Sequence, residues 1–340
     1  MRKFNEENER IKRQYLIYLR EAKGQDESSL DKVAAALLYF EEALSFKPFK
    51  AFNRDWATTF KNHLRKRKNA RSGKPLGITT RDSILRLVRN FVEWLSGQQG
   101  YKSRITYSDA AYFNNNAKEA RAAHAVRPID YPSLIQCEHA FRNMPEVTLL
   151  DRRDKAIFAF LMLTAARDSA AASLKLAHID LVEGKVLQDG REVRTKNSKT
   201  FETWFFPVDP MYRVCFESWV NHLRKESLYG PGDALFPKVE IKAENGRFNA
   251  TGLSREPYSN GQKINQIFKG AFENAGLQAF SAHTVRKTLG MYMNEVCRTP
   301  EQFKAWSQNL GHEHLGTTIS AYMPISRERQ REIIAGLAKG

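Results

Sequence analysis

Apolar residues three and four positions apart run through the first hundred residues, and that spacing commits this part of the chain to helices packed on one another. Four segments carry it. Ile11, Tyr15 and Leu19 mark the first, and Val33, Leu37, Phe40 and Leu44 the second, with Ser28-Ser29-Leu30-Asp31 as its expected capping box. Trp56, Phe60 and Leu64 mark the third. Ile84, Leu87, Val88, Phe91 and Leu95 mark a fourth that begins at Thr79-Thr80 and ends near Gly97. A small helical bundle is predicted.

Beyond Tyr112-Phe113 the chain passes through Asn114-Asn115-Asn116 and an alanine-rich polar stretch to Arg127-Pro128-Ile129-Asp130-Tyr131-Pro132, where two prolines interrupt helix. The predicted organisation is therefore a helical domain over 1–115, a linker over 116–130, a second domain over 131–325 and a helical tail over 326–340. Helices are expected around Leu134 to Phe141 and Lys155 to Leu163. One strand region, Gly184 to Val208, places Val186, Val193 and Trp204-Phe205-Phe206 around a basic turn, Lys196-Asn197-Ser198-Lys199. The expected fold class is mainly α with a small antiparallel β-sheet, in two domains, as suits 340 residues.

Fifty-four Lys and Arg against thirty-eight Asp and Glu give a formal charge of +16, which favours a phosphate-rich partner because each neutralised phosphate releases counterions. No stretch approaches the ~20 apolar residues of a membrane helix, and the start, Met1-Arg2-Lys3-Phe4-Asn5, lacks the apolar core of a secretory signal, so a cytoplasmic, nucleoid-associated protein without membrane contact is expected. Cys137, Cys215 and Cys297 are odd in number and far apart, so no disulfide framework or cysteine zinc site is expected. The basic run His63-Leu64-Arg65-Lys66-Arg67-Lys68-Asn69-Ala70-Arg71-Ser72-Gly73-Lys74 suits a DNA contact through Arg65, Lys66, Arg67, Lys68, Arg71 and Lys74. A solvated helix end, where cations meet the macrodipole, explains it equally well.

Three polar clusters match what phosphodiester chemistry needs: a nucleophile, cationic clamps and proton carriers. Arg167 follows the apolar run Leu163-Thr164-Ala165-Ala166. In Ser281-Ala282-His283-Thr284-Val285-Arg286 the His and Arg stand three apart on one helical face. The third is Asn309-Leu310-Gly311-His312-Glu313-His314-Leu315-Gly316-Thr317-Thr318-Ile319-Ser320-Ala321-Tyr322. Taken singly, each has a plain explanation: a helix-end salt bridge, a surface pair, a core aromatic. His312 and His314 lack the nearby ligands a metal site requires, so no metal is expected.

An arginine, then His-x-x-Arg, then Leu-Gly-His, then a tyrosine soon after Thr-Thr, in that order, resembles the tyrosine recombinase or phage integrase family, with motifs over roughly residues 160 to 325 and a family-like helical bundle before them. The resemblance implies a DNA clamp made of a core-binding bundle and a catalytic domain. It implies that Arg167 and Arg286 hold the scissile phosphate, where guanidinium forks match its oxygens. His283 takes or holds the tyrosine proton, His312 bonds the phosphate, and Tyr322 attacks phosphorus once its cationic surroundings make a phenolate accessible. The leaving-group acid is a turn lysine, Lys196 in first place and Lys199 in second, with two solvated turn lysines as the plain alternative. The implied reaction is transesterification through a 3′-phosphotyrosyl intermediate, needing no cofactor; the chain has no Gly-x-x-x-x-Gly-Lys phosphate loop.

Two departures from the family pattern stand out. Ala170 occupies the position where the family usually has an acid, which leaves Asp168 as a substitute, and the interval from His312 to Tyr322 is one residue longer than the commoner one. Past Met323-Pro324, the segment Ser326 to Ala338 carries Ile333, Ile334 and Leu337 on one face and is expected either to dock on a neighbouring protomer or to pack on its own domain. The expected partners are duplex DNA bearing specific recombination sites, a homotetramer on that DNA, and accessory or directionality factors. Integration or excision of a mobile element is the expected role; the alternatives are Xer-like resolution of chromosome dimers, a type IB topoisomerase, and a DNA-binding regulator without catalysis.

Overall fold

In the computed structural model the described residues are 4–70, 72–125, 130–244, 247–322, 325 and 327–337. The chain divides into two compact units, Met1–Pro128 and Ile129–Gly340.

The first unit is built on α1 (Glu6–Ile17), α2 (Glu27–Ala43), α3 (Asp55–Lys66), α4 (Ile78–Leu95) and α5 (Ala117–His124). The first four are the predicted helices. The cap of α2 is Asp26 rather than the Ser28 box: its carboxylate accepts from Ser29 N–H at 2.7 Å, and an anion at a helix N-terminus also gains from the macrodipole. Residues 117–124 overturn the proposed start of the linker. Asn116 caps α5, Asn115 Nδ2 donates to Asp82 Oδ1 at 2.6 Å and Thr79 Oγ1 donates to the Ala123 carbonyl at 3.3 Å, so the helix is fastened to α4 despite its thin apolar stripe. Residues 126–129 of the predicted linker lie outside the described residues. The core stacks Phe40, Phe49, Phe60, Phe91 and Phe113, with Trp56 at its edge.

Polar side chains are built into that core. Asn8, fully buried, donates to Glu41 Oε1 at 3.1 Å and to the Lys47 carbonyl at 3.0 Å, and accepts from Phe49 N–H at 2.9 Å. The Glu41 carboxylate, also fully buried, pairs with Lys12.

The second unit runs α6 (Leu134–Arg142), α7 (Leu149–Thr164), α8 (Asp168–Ala171), β1 (Ile179–Asp180), β2 (Lys185–Gln188), β3 (Phe201–Trp204), α9 (Pro210–Lys225), β4 (Pro237–Glu244), β5 (Arg247–Pro257), α10 (Gln262–Asn274), α11 (Thr284–Val296), α12 (Pro300–Asn309), α13 (Leu315–Tyr322) and α14 (Arg327–Leu337). Its centre is α7, in which every side chain from Ala156 to Met162 has no exposure; a helix apolar on all sides is a helix surrounded by others. The predicted sheet is β1-β2-β3, antiparallel, with Val186 opposite Thr203. Val193 is not in a strand but is buried in the long β2–β3 turn. A second sheet, the β4–β5 ribbon, was not predicted, although Lys238-Val239-Glu240-Ile241-Lys242-Ala243 alternates charged and apolar residues with the period of a strand. Buried Arg153 holds its start, donating to the Pro237 carbonyl at 3.0 Å and to Asp154 at 2.6 Å.

All three cysteines are free thiols. No helix among the described residues is long and apolar enough to cross a membrane. The tail is helical as predicted, with Ile333, Ile334 and Leu337 exposed; Met323, Pro324, Ser326 and Ala338 lie outside the described residues.

Replacing Asn8 with Ala strips partners from the buried Phe49 N–H, from the Lys47 carbonyl and from Glu41. It is expected to lower the stability of the first unit by about 2–4 kcal/mol, measured by chemical denaturation; a change under ~0.5 kcal/mol contradicts this account of the core.

Candidate active site

The site forms where three helices end. At the close of α7, Ala165 takes the left-handed conformation (φ 50°), turning the chain so that its carbonyl faces inward and Arg167 stands at the start of α8. Arg286, one turn into α11 and 4% exposed, reaches that carbonyl: Nη1 donates to Ala165 O at 2.7 Å and Nη2 to Leu310 O, at the end of α12, at 2.5 Å. Its charge also acts on the nearby Tyr322 hydroxyl, pulling the phenol toward its ionised form. Burial, with Arg167 beside it, lowers the Arg286 pKa to about 10, which still leaves it charged at neutral pH.

The Arg167 guanidinium has no hydrogen-bond or ion-pair partner among the described residues, and Arg286 has no carboxylate partner among them. Two arginines, both losing hydration, with Arg167 lowering the pKa of Arg286, form a site of positive charge that no carboxylate among the described residues pairs with. An anion that enters recovers that cost.

His283 stands at the N-terminus of α11, one turn before Arg286. Loss of hydration, then Arg286 and Arg167, lower its pKa, and Asp168 opposes them. His312 follows Gly311, whose backbone (φ 73°) and contact with Phe201, where an added Cβ would lie 2.7 Å from the ring, both require glycine. The imidazole lies between two partners: Nδ1 is 2.7 Å from Thr318 Oγ1 and Nε2 is 3.4 Å from Arg286 Nη2. Burial, then Arg286, Arg167 and Lys199, push its pKa down to about 4, so it is neutral at physiological pH.

Tyr322 is buried at the end of α13, its ring stacked on His312 (5.9 Å between centroids, 17° between planes) and pressed on Gly290, where an added Cβ would lie 2.6 Å from the ring. Its pKa is raised: burial outweighs the opposing pull of Arg286 and Arg167. Without DNA the desolvation of the buried phenol is the larger effect, so the two arginines by themselves leave Tyr322 protonated.

Of the two turn lysines, Lys199 is the one at the site. Its Nζ lies 3.4 Å from the Gly311 carbonyl and 3.4 Å from Glu313 Oε1, whereas Lys196 is exposed and makes no contact with the cluster. The β2–β3 turn that carries both lysines passes through the left-handed Asn197 and Ser198 before returning to β3.

Sequence reasoning missed Asn265 on α10. Its Nδ2 donates to Asp168 and its Oδ1 accepts from Ala282 N–H at 2.9 Å, tying the Arg167 loop to the residue before His283. Ala170 is 1% exposed within the apolar core, so Asp168 is the acid next to the first arginine. No spacing rule could have paired residues 97 apart.

The basic run of the first unit is mixed. Arg67 is a fastener, paired with Glu42 at 2.5 Å and stacked over Tyr39 at 3.8 Å, and Arg65 lies 3.4 Å from Glu119. Lys66, Lys68 and Lys74 are exposed, and Arg71 lies outside the described residues.

Residues 135–329 match the model of the phage integrase family, and the chain belongs to that family of DNA recombinases. No curated protein sequence matches it. Its fold is shared with solved structures at low identity. A lambda integrase dimer bound to a COC′ core site is 12% identical, with TM-score 0.63 over 94% of this chain and 96% of that one. The XerH site-specific recombinase on a palindromic difH substrate, after cleavage, is 14% identical, with TM-score 0.59 over 95% and 84%. The Tn1549 transposon integrase with transposon right-end DNA is 13% identical, with TM-score 0.57 over 96% and 99%.

Because folded His312 titrates near 4 and an unfolded imidazole near ~6.5, the unfolded chain binds more protons between those values. The contribution to stability is full above pH ~6.5 and is lost as pH falls toward ~4, by up to about 1.4 kcal/mol per pH unit. His283 acts in the same direction. Melting temperatures of wild type and His312→Gln over this window are expected to diverge, with the variant showing the shallower fall; parallel curves would contradict the assignment.

Proposed function

We propose that the protein cuts and rejoins duplex DNA at specific sites, with Tyr322 as nucleophile and a 3′-phosphotyrosyl intermediate. The observation that carries the reading is buried Tyr322 stacked on His312, whose Nε2 meets Arg286, beside Arg167, which has no hydrogen-bond or ion-pair partner among the described residues.

In this reading a phosphate enters the positive cavity, and Arg167 and Arg286 stabilise the charge on its non-bridging oxygens as phosphorus becomes pentavalent. Since burial keeps Tyr322 protonated, a base is required, and neutral His283 takes the phenolic proton. The Tyr322 oxygen–phosphorus bond forms and the phosphorus–5′ oxygen bond breaks. Lys199, adjacent to His312, protonates the departing oxygen, with Lys196 second. His312 donates to a phosphoryl oxygen. One phosphodiester replaces another, so the step needs no ATP and no metal cofactor; attack by a second strand's 5′ hydroxyl reverses it. Exposed Lys66, Lys68 and Lys74 of the first unit contact the DNA backbone. The exposed apolar face of α14 docks on a neighbouring protomer in a tetramer on DNA, and integration or excision of a mobile element, with directionality factors, is the role assigned.

Wild type and Tyr322→Phe are to be incubated, in chelator and without ATP, with nicked duplexes tiling the DNA around the protein's own gene, and adducts surviving SDS collected. Wild type is expected to form an adduct through a 3′ phosphate and Tyr322→Phe none. Arg167→Ala, which removes no side-chain hydrogen bond or ion pair among the described residues, is expected to cut about 10²–10³-fold more slowly. Specific binding without adduct would instead indicate a regulator, and supercoil relaxation without a paired site a topoisomerase. On a substrate with a sulfur leaving atom, which needs little protonation, Lys199→Ala is expected to recover activity.

A further inference from the structure

Thr318 has no exposure and Ser307 1%, yet their hydroxyls face each other at 2.6 Å, and Thr318 Oγ1 also meets His312 Nδ1 at 2.7 Å. The three groups form a buried chain ending at the imidazole. Across the ring, Nε2 faces Arg286 Nη2 at 3.4 Å, and a guanidinium can only donate. Without a ligand, therefore, the proton belongs on Nδ1, which donates to Thr318, which donates to Ser307. A phosphoryl oxygen between Arg286 and His312 reverses the demand: Nε2 must donate, and Nδ1 then needs a donor of its own. Doubly protonating the ring is the costly alternative, because Arg286, Arg167 and Lys199 already face it. A hydroxyl both donates and accepts, so turning two hydroxyl rotors meets either demand.

We propose that Thr318, backed by Ser307, is a positioning residue that lets His312 exchange its Nδ1–H form for its Nε2–H form when a phosphate arrives, so that the ring becomes a donor without changing charge. One proton leaves Nδ1 to solvent and one reaches Nε2 from solvent; no net proton is taken up. The inference rests on the reading of His312 as a phosphate donor. It also explains why Thr318 lies one helical turn before Tyr322: the bond that sets the imidazole pins the same face of α13 that carries the tyrosine.

The test uses full-length protein labelled with ¹⁵N-histidine, with the His312 signals assigned by comparison with His312→Gln and the tautomer read by long-range proton–nitrogen NMR with and without saturating inorganic phosphate. Wild type and Thr318→Ser are expected to pass from Nδ1–H to Nε2–H on adding phosphate. Thr318→Val, equal in size but without the hydroxyl, is expected not to switch, to bind phosphate about tenfold more weakly and to form the Tyr322 adduct roughly 10–100-fold more slowly. Ser307→Ala, which leaves Thr318 in place, is expected to fall between. An Nε2–H ring in both states, a doubly protonated ring with phosphate, or wild-type switching in Thr318→Val would overturn the proposal, and the wild-type spectra decide the first two even if a variant fails to fold. A tautomer change in a protein that never forms an adduct would leave this inference standing while sinking the catalytic reading.

Discussion

The architecture of the second unit depends on how one buried cation is solvated. Arg286 has no carboxylate partner among the described residues; it is held by the carbonyls of Ala165 and Leu310, the closing residues of α7 and α12. Helix C-termini present unsatisfied carbonyls and the negative end of the macrodipole, so two of them stabilise a guanidinium without cancelling its charge. A carboxylate in their place would have given a more stable and useless site. The left-handed turn at Ala165 follows from the same constraint, since a helix continuing past Thr164 would have kept that carbonyl for itself.

Opposing effects of comparable size set the protonation states. Burial raises the Tyr322 pKa and lowers those of His283 and His312, while the two arginines pull Tyr322 down and push both imidazoles further down. All three groups are consequently neutral in the empty site, beside two charged guanidiniums whose effect on His283 is opposed by Asp168. Such a cluster of like charges opposes folding, and the apolar mass of α7 beneath it, buried on every side, is what offsets it.

Residues that act through their own chemistry could be read from the sequence. Arg167, His283, Arg286, His312 and Tyr322 are brought together as expected, because a guanidinium or imidazole in a fixed order announces itself. What escaped depends on backbone paths. Lys199 lies at the site and Lys196 does not because the β2–β3 turn passes through two left-handed residues that no composition rule flags. The helix α5 was read as linker because only Ala123 on it is buried; its evidence lies in Asn115 and Asn116, a hydrogen bond and a cap, rather than in an apolar stripe. Asn265 and Ser307 were invisible, being ordinary polar residues whose partners stand 97 and 11 positions away.

The helix α13 shows how closely site and fold are joined. Of its eight residues only Thr318 and Tyr322 are buried, and both are buried in the site itself. Thr318 is held by Ser307 and His312, Tyr322 by His312 and Gly290, and the backbone at Ala321 and Tyr322 by Lys287 and Asn294. A helix this short has little stability of its own. Its docking therefore rises and falls with the groups that would meet a phosphate, so an anion bound by Arg286 and His312 also favours the docked tyrosine. In the proposed function, assembly of the nucleophile and binding of its target then become a single equilibrium, biased from both ends.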